Sequence, residues 1–152
     1  MRPKHQHTRI MVFGTFDVLH KGHLHFFYQA RKLAKSPFLI VSVARDANVK
    51  KIKGKKPRQP EQKRLAAIKK IKLVNQALLG NKKNYWSHII KSRPDVIALG
   101  YDQVAYTRNL KKILAQKGLR VKISRLRAYK PHLYKSSLIK QSTAGKVREN
   151  ML

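Results

Sequence analysis

The sequence predicts an α/β fold: a Rossmann-like parallel five-stranded sheet with helices on both faces. Two observations predict it. Short, continuous apolar runs alternate with stretches of helical spacing along almost all of the 152 residues. Those runs lack the apolar–polar alternation of a half-solvated sheet, so they read as strands buried on both faces, which is the mark of parallel sheets with helical crossovers. No internal repeat, heptad pattern or linker interrupts them, so one domain is expected over residues 9–147, between a basic tail at 1–8 and a short tail at 148–152.

Taken in order, Arg9–Phe16 is the first strand, carried by Ile10, Met11, Val12 and Phe13. His20–Ala34 reads as the first helix, with Leu24, Phe27, Ala30, Leu33 and Ala34 on its apolar side. Phe38–Ala44 is the second strand. Arg45–Pro60, dense in lysine, reads as a flexible loop. Pro60 and Glu61 open a helix to about Ile71, with an apolar stripe of Leu65, Ala66, Ile68 and Ile71. Gln76–Leu79, ended by Gly80, is a third strand. Tyr85–Ser92 is a helix stopped ahead of Pro94, with Tyr85 and Trp86 read as packing residues. Val96–Leu99 is the fourth strand. Arg108–Gln116 is a helix closed by Gly118, Val121–Ser124 the fifth strand, and Ser137–Lys146 a last helix.

Composition bounds the chemistry. There is no cysteine, which excludes disulfides and thiolate catalysis and makes a reducing cytoplasm the expected compartment. No apolar run reaches membrane-spanning length, and the basic N-terminus runs straight into the first strand without a signal-peptide core. Lysine and arginine number 36 against six acids, a formal charge of +30. Such a field concentrates phosphates and binds nucleic acid non-specifically. The basic residues are spread along the whole chain, so a general basic bias is the competing explanation. The few acids stand out. Asp17 and Asp102 fall in loops expected to be functional, and Asp46 and Asp95 flank strands.

The densest information lies in Gly14-Thr15-Phe16-Asp17-Val18-Leu19-His20-Lys21-Gly22-His23, between the first strand and the first helix. A glycine turn feeding a helix N-terminus presents backbone N–H groups to an anion. His20 and His23, three apart, project from one face of the first helical turn. Gly22 between them lets a ligand approach the backbone. The bland alternative makes the two histidines a helix cap and a surface residue.

This stretch resembles the signature G-T-F-D-x-x-H-x-G-H of the cytidylyltransferase-like nucleotidyltransferases, an HxGH fold, and matches it at every defined position. The resemblance implies that His20 and His23 stabilise charge on the phosphate under attack, with Gly14, Thr15, Phe16 and Gly22 beside the nucleotide. The attacking phosphate is already ionised, so no general base is needed, and positioning and charge stabilisation carry the reaction. A second stretch, Val43 through Arg64, resembles V-A-R-D-x-x-V-K-K-x-K-G-x-x-P-x-x-x-E-x-R of archaeal-type FAD synthases. It points to Lys51, Lys53 and Arg64, with Asp17, as acceptor-binding residues. Lys53 is also a candidate for the catalytic set. Arg64 has a second reading, fixing its helix against the loop.

Gly100-Tyr101-Asp102, after the fourth strand, also follows that branch, where glycerol-3-phosphate cytidylyltransferases carry an acidic pair after the glycine. The loop would read base or ribose, with Asp102 a candidate metal or ribose ligand or simply a helix cap. Ser136 and Ser137, at the start of the last helix, resemble the family's C-terminal triphosphate-binding serine motif, with Arg127 upstream serving the same phosphates. The chain departs from its relatives in Lys130-Pro131-His132 and in lacking C-terminal cysteines. His5, His7, His25, His88 and His132 have no ligand spacing.

The resemblance spans about residues 9–141 and implies AMP transfer from ATP to FMN, giving FAD and pyrophosphate. It further implies Mg²⁺ on the triphosphate and a homodimer. Cytidylyl transfer from CTP to glycerol 3-phosphate or a related phosphoalcohol is the alternative. A phosphopantetheine adenylyltransferase fits less well, because that branch lacks G-T-F-D. A non-catalytic nucleic-acid-binding protein is a remote alternative.

Overall fold

The computed structural model describes residues 7–84, 86–100, 103 and 109–127. The elements in chain order are β1 (Thr8–Gly14), α1 (Lys21–Arg31), β2 (Pro37–Val43), α2 (Asp46–Lys53) and α3 (Glu61–Lys69). They continue as β3 (Gln76–Leu79), α4 (Ser87–Ser92), β4 (Val96–Leu99), α5 (Leu110–Gln116) and β5 (Lys122–Arg125). The expected helix at Ser137–Lys146 lies outside the described residues.

All five strands are parallel, in the order β3-β2-β1-β4-β5. Strand period two divides the sheet residues between two cores. Ile10 and Val12 of β1, with Leu39, Val41 and Ala98, pack against Phe27 and Ala30 of α1 and Ile68 of α3. Met11, Ile40, Ile97 and Leu99 face the other way, against Ile89 of α4 and Leu110 and Leu114 of α5. Each fully buried aliphatic side chain contributes about 1.5–3 kcal/mol, and β1 supplies them to both cores. That is why its sequence runs apolar without alternation.

The chain leaves β1 toward β2 and β3, then crosses back to β4 and β5 on the other side. The order reverses between β1 and β4, and in such sheets ligands sit beyond the C-terminal strand ends at that point. Because β1 and β2 are parallel, the loops that follow them leave the sheet at the same edge.

Three expectations need correction. Arg45–Pro60 is not a flexible loop throughout, because Asp46–Lys53 is a helix. Its three lysines hide a narrow apolar side of Val49 and Ile52, but its end signals are regular: Asp46 in the first turn, lysines in the last, and Gly54 in the left-handed region (φ 82°) closing it. The first helix ends at Arg31 rather than Ala34, and Leu33 stands 38% exposed beyond it. Ala66, expected on the buried stripe of α3, is exposed, and the buried position beside that stripe belongs to Arg64. Gly118 (φ 88°) does end α5, with Leu119 N donating back to Leu114 O at 2.8 Å. Trp86 packs on the second core and carries the Lys117 ammonium 3.9 Å from its ring centre. Tyr85 lies outside the described residues. Among the described residues no helix is long and apolar enough to cross a membrane.

Candidate active site

The turn after β1 is built around Phe16. Its backbone takes φ 54°, a left-handed conformation that costs a bulky residue free energy and is kept only where the surroundings impose it. Here they do. The ring is 5% exposed and lies 5.4 Å from the Phe27 ring and 5.3 Å, edge-on, from the His23 ring. A Cβ on Gly14 would come within 2.5–2.9 Å of the Phe16 ring, so this glycine is required by space. Phe16 thus braces His23 through its side chain, in addition to whatever its backbone offers a nucleotide.

His20 is the N-cap of α1 and His23 its third residue, and the two form a reciprocal capping box. Gly22 N–H donates to His20 Nδ1 at 3.1 Å, and His20 N–H donates to His23 Nδ1 at 3.3 Å. The rings stack, centroids 3.9 Å apart at 30°. A backbone N–H can only donate, so both Nδ1 atoms are unprotonated and each neutral ring carries its proton on Nε2. Helix capping and anion recognition therefore use opposite edges of the same rings. The bland alternative is half right: His20 is a cap, but His23 belongs to the cap and not to the free surface.

Burial lowers the His20 imidazole to about 4. Burial and then the His20 charge lower His23 to about 3. At neutral pH both rings are uncharged Nε2–H donors. Burial, with the nearby Arg45 charge, also lowers His88 to about 4. All three values fall below the ordinary 6.5, so between 6.5 and the folded values the unfolded chain binds more protons. This stabilising contribution is complete above 6.5 and is lost as pH falls toward 3–4. Thermal melts through this window should show the loss, and His23→Gln, with no imidazole to protonate, should show a shallower one. Equal slopes would mean that His23 does not drive it.

The lower wall is held by Arg64, which is 0% exposed. Its Nη1 donates to Thr15 O at 2.8 Å and Ala44 O at 2.7 Å, its Nε to Gln59 O at 3.0 Å, and its Nη2 to Asp46 Oδ1 at 2.7 Å. One guanidinium thus joins the loops after β1, β2 and α2. It has no face left for an acceptor, so its expected acceptor-binding role gives way to the second reading. Burial pushes the Asp46 carboxyl up, but the bonds from Arg64 and from Glu61 N–H outweigh that and hold it below its usual value. Asp46 and Glu61 accept from each other's backbone N–H, and Glu61 also pairs with Arg45 at 3.2 Å.

Asp17, half-buried, accepts from Arg58 N–H at 2.8 Å and Gln59 N–H at 2.9 Å. It latches the signature turn to the segment before α3. Lys53 lines a cleft with Thr15, Ala44, Asn48, Val49 and Ile52. Lys51, two positions earlier on the helix, lies almost opposite and does not line it.

At the β1–β4 junction, Gly100 N–H donates to Gln103 Oε1 at 2.8 Å and Gln103 Nε2 donates to Phe13 O at 2.7 Å. Gln103 thus closes the switch point and occupies the Gly100 N–H. Arg127 follows β5 and is exposed, with its backbone held by the Gln29 amide, whose Nε2 donates to Arg127 O and whose Oε1 accepts from Arg127 N–H. Tyr101, Asp102, Ser136 and Ser137 lie outside the described residues. Sequence reasoning missed Gln103, Gln29 and Asn48, whose amide donates to Asn81 O. Amides in loops carry no spacing signal, and only the three-dimensional fold identifies their partners.

A turn that presents two imidazole N–H groups at a helix N-terminus, beside a lysine-bearing cleft, can bind a polyphosphate and stabilise charge on it. Comparison with known proteins agrees. Residues 11–142 match the family model described as Cytidylyltransferase-like. An FAD synthase of Methanosarcina mazei is 43% identical over 78% of this chain and 76% of its own length. One from Korarchaeum cryptofilum is 44% identical over 78% and 80%. A crystal structure described as the lipopolysaccharide core biosynthesis protein of Thermoplasma volcanium superimposes with a TM-score of 0.74 at 38% identity, covering 80% of this chain and 98% of that one.

Proposed function

Because this chain belongs to the cytidylyltransferase-like family, we propose that it is an FMN adenylyltransferase making FAD and pyrophosphate from ATP and FMN. The observation that carries the chemistry is the His20–His23 pair, whose Nδ1 atoms are both occupied by backbone N–H groups and whose Nε2–H groups remain for phosphate oxygens. An oxygen of the FMN phosphate attacks the α-phosphorus in line. The bond from that phosphorus to the bridging oxygen breaks, and its electron pair leaves with pyrophosphate. Charge builds on the non-bridging oxygens and the leaving group, where Nε2–H donors fixed before the reaction stabilise it without reorganising. The dipole of α1, whose N-terminus is at this point, acts in the same sense.

Lys53 faces the cleft beside Thr15 and serves the acceptor phosphate. Tyr101 and Asp102 are assigned to base or ribose, and Ser136, Ser137 and Arg127 to the triphosphate, on the motifs alone. Mg²⁺ enters as part of the ATP substrate. Asp102, the one residue the motifs offer as a metal ligand, lies outside the described residues. A homodimer and a cytoplasmic location belong to the same reading, and so does non-specific nucleic-acid binding from the +30 charge.

The test crosses ATP and CTP against FMN and glycerol 3-phosphate with Mg²⁺ and separates the products by chromatography. FAD formed only from ATP and FMN is the expected result. CDP-glycerol instead would keep the His20–His23 mechanism and overturn the acceptor.

A further inference from the structure

Helix α2 carries an oddity that phosphate binding leaves unused. Ile52 is 63% exposed, more than Tyr28 (48%) or Leu33 (38%), the other exposed large hydrophobics among the described residues. Its exposed neighbours in the last turn of the helix are lysines, Lys50, Lys51 and Lys53. It also lines the cleft shared with Thr15 of the signature turn, where Ala44 and Val49 add further aliphatic surface. The helix is fixed by Asp46 on Arg64, by Asn48 on Asn81 O and by the Gly54 terminus. Ile52 is therefore presented on a held element, one residue before the lysine assigned to the acceptor phosphate.

An apolar patch inside a cationic rim is complementary to a flat, largely apolar ring that carries a phosphate. Glycerol 3-phosphate has nothing to place on it. We infer that Ile52, with Val49 and Ala44, forms the platform for the isoalloxazine ring of FMN and so helps select a flavin over a small phosphoalcohol. The inference rests on the FMN reading above. Lys53 at the rim holds the phosphate end and orients it toward the turn, so ring contact and phosphate contact separate into neighbouring side chains.

The full-length protein with Ile52→Ser tests it, with Ile52→Leu as the conservative control. Steady-state kinetics should show the FMN KM raised about five- to tenfold in Ile52→Ser, from the lost apolar contact. The ATP KM should stay unchanged, and Ile52→Leu should restore wild-type behaviour. Riboflavin, which has the ring without the phosphate, gives a readout independent of turnover: its binding to the wild type, followed by fluorescence anisotropy, should weaken in Ile52→Ser and persist in Lys53→Ala. Wild-type FAD synthesis with an unchanged FMN KM and unchanged riboflavin binding in Ile52→Ser would overturn the platform and leave the function standing. A wild type that makes no FAD would overturn both.

Discussion

His23→Gln should lose about 10²- to 10³-fold in turnover, the effect of removing one preorganised donor at a reacting phosphate. Glutamine is chosen because it suits the third position of a capping box, so its carbonyl can still accept from His20 N–H and hold the first turn of α1. His20→Asn applies the same logic at the cap itself, where asparagine is among the preferred residues. Both variants should melt near the wild-type temperature at neutral pH. ATP affinity by calorimetry should change little, because the lost interaction is strongest in the transition state. Turnover within a few-fold of wild type in both variants would remove the histidines from the reaction and leave them as a cap alone.

Arg64→Met should be the most destabilising single change, at about 3–5 kcal/mol, the range found when one partner of a buried ion pair is removed. The size follows from what the guanidinium leaves behind. Thr15 O, Ala44 O and Gln59 O lose a donor, and the Asp46 carboxylate loses the charge that holds its proton affinity down. Three loops lose their common tie, so turnover should fall with stability. Lysine should not rescue it, because one ammonium cannot reproduce a planar fork reaching four acceptors. Urea unfolding of Arg64→Met and Arg64→Lys checks this. A loss below about 1 kcal/mol, in the range of an exposed ion pair, would contradict the buried tie.

The positions of four of the six acids follow from contacts of the same kind. Asp17 latches the signature turn to residues 58 and 59, Asp46 and Glu61 cross-link α2 and α3, and Asp95 accepts from Arg9 N–H at the edge of β1. The sequence placed these acids beside important loops. Their work in the fold is to hold loops together by backbone and guanidinium bonds. In a chain of +30 charge, a carboxylate is the acceptor such junctions need.

What the sequence determined by itself was whatever rests on local pattern. Apolar runs without alternation marked five parallel strands, Gly118 marked the end of α5, and G-T-F-D-x-x-H-x-G-H located the anion-binding turn. Each of these is encoded within about ten residues, at a period or spacing that the backbone imposes. The tertiary structure alone decided the rest. It turned the lysine-rich loop into α2, because only docking against Arg64 and Asn81 reveals its narrow apolar side. It took Arg64 from the acceptor into the interior and turned Lys51 away from the cleft that Lys53 lines. It made Gln103 the closure between β1 and β4, and it fixed the tautomers of His20 and His23. These outcomes depend on partners from separate segments of the chain. A charged side chain reads the same in sequence whether it meets solvent, substrate or three carbonyl oxygens, and only the fold determines which of them it reaches.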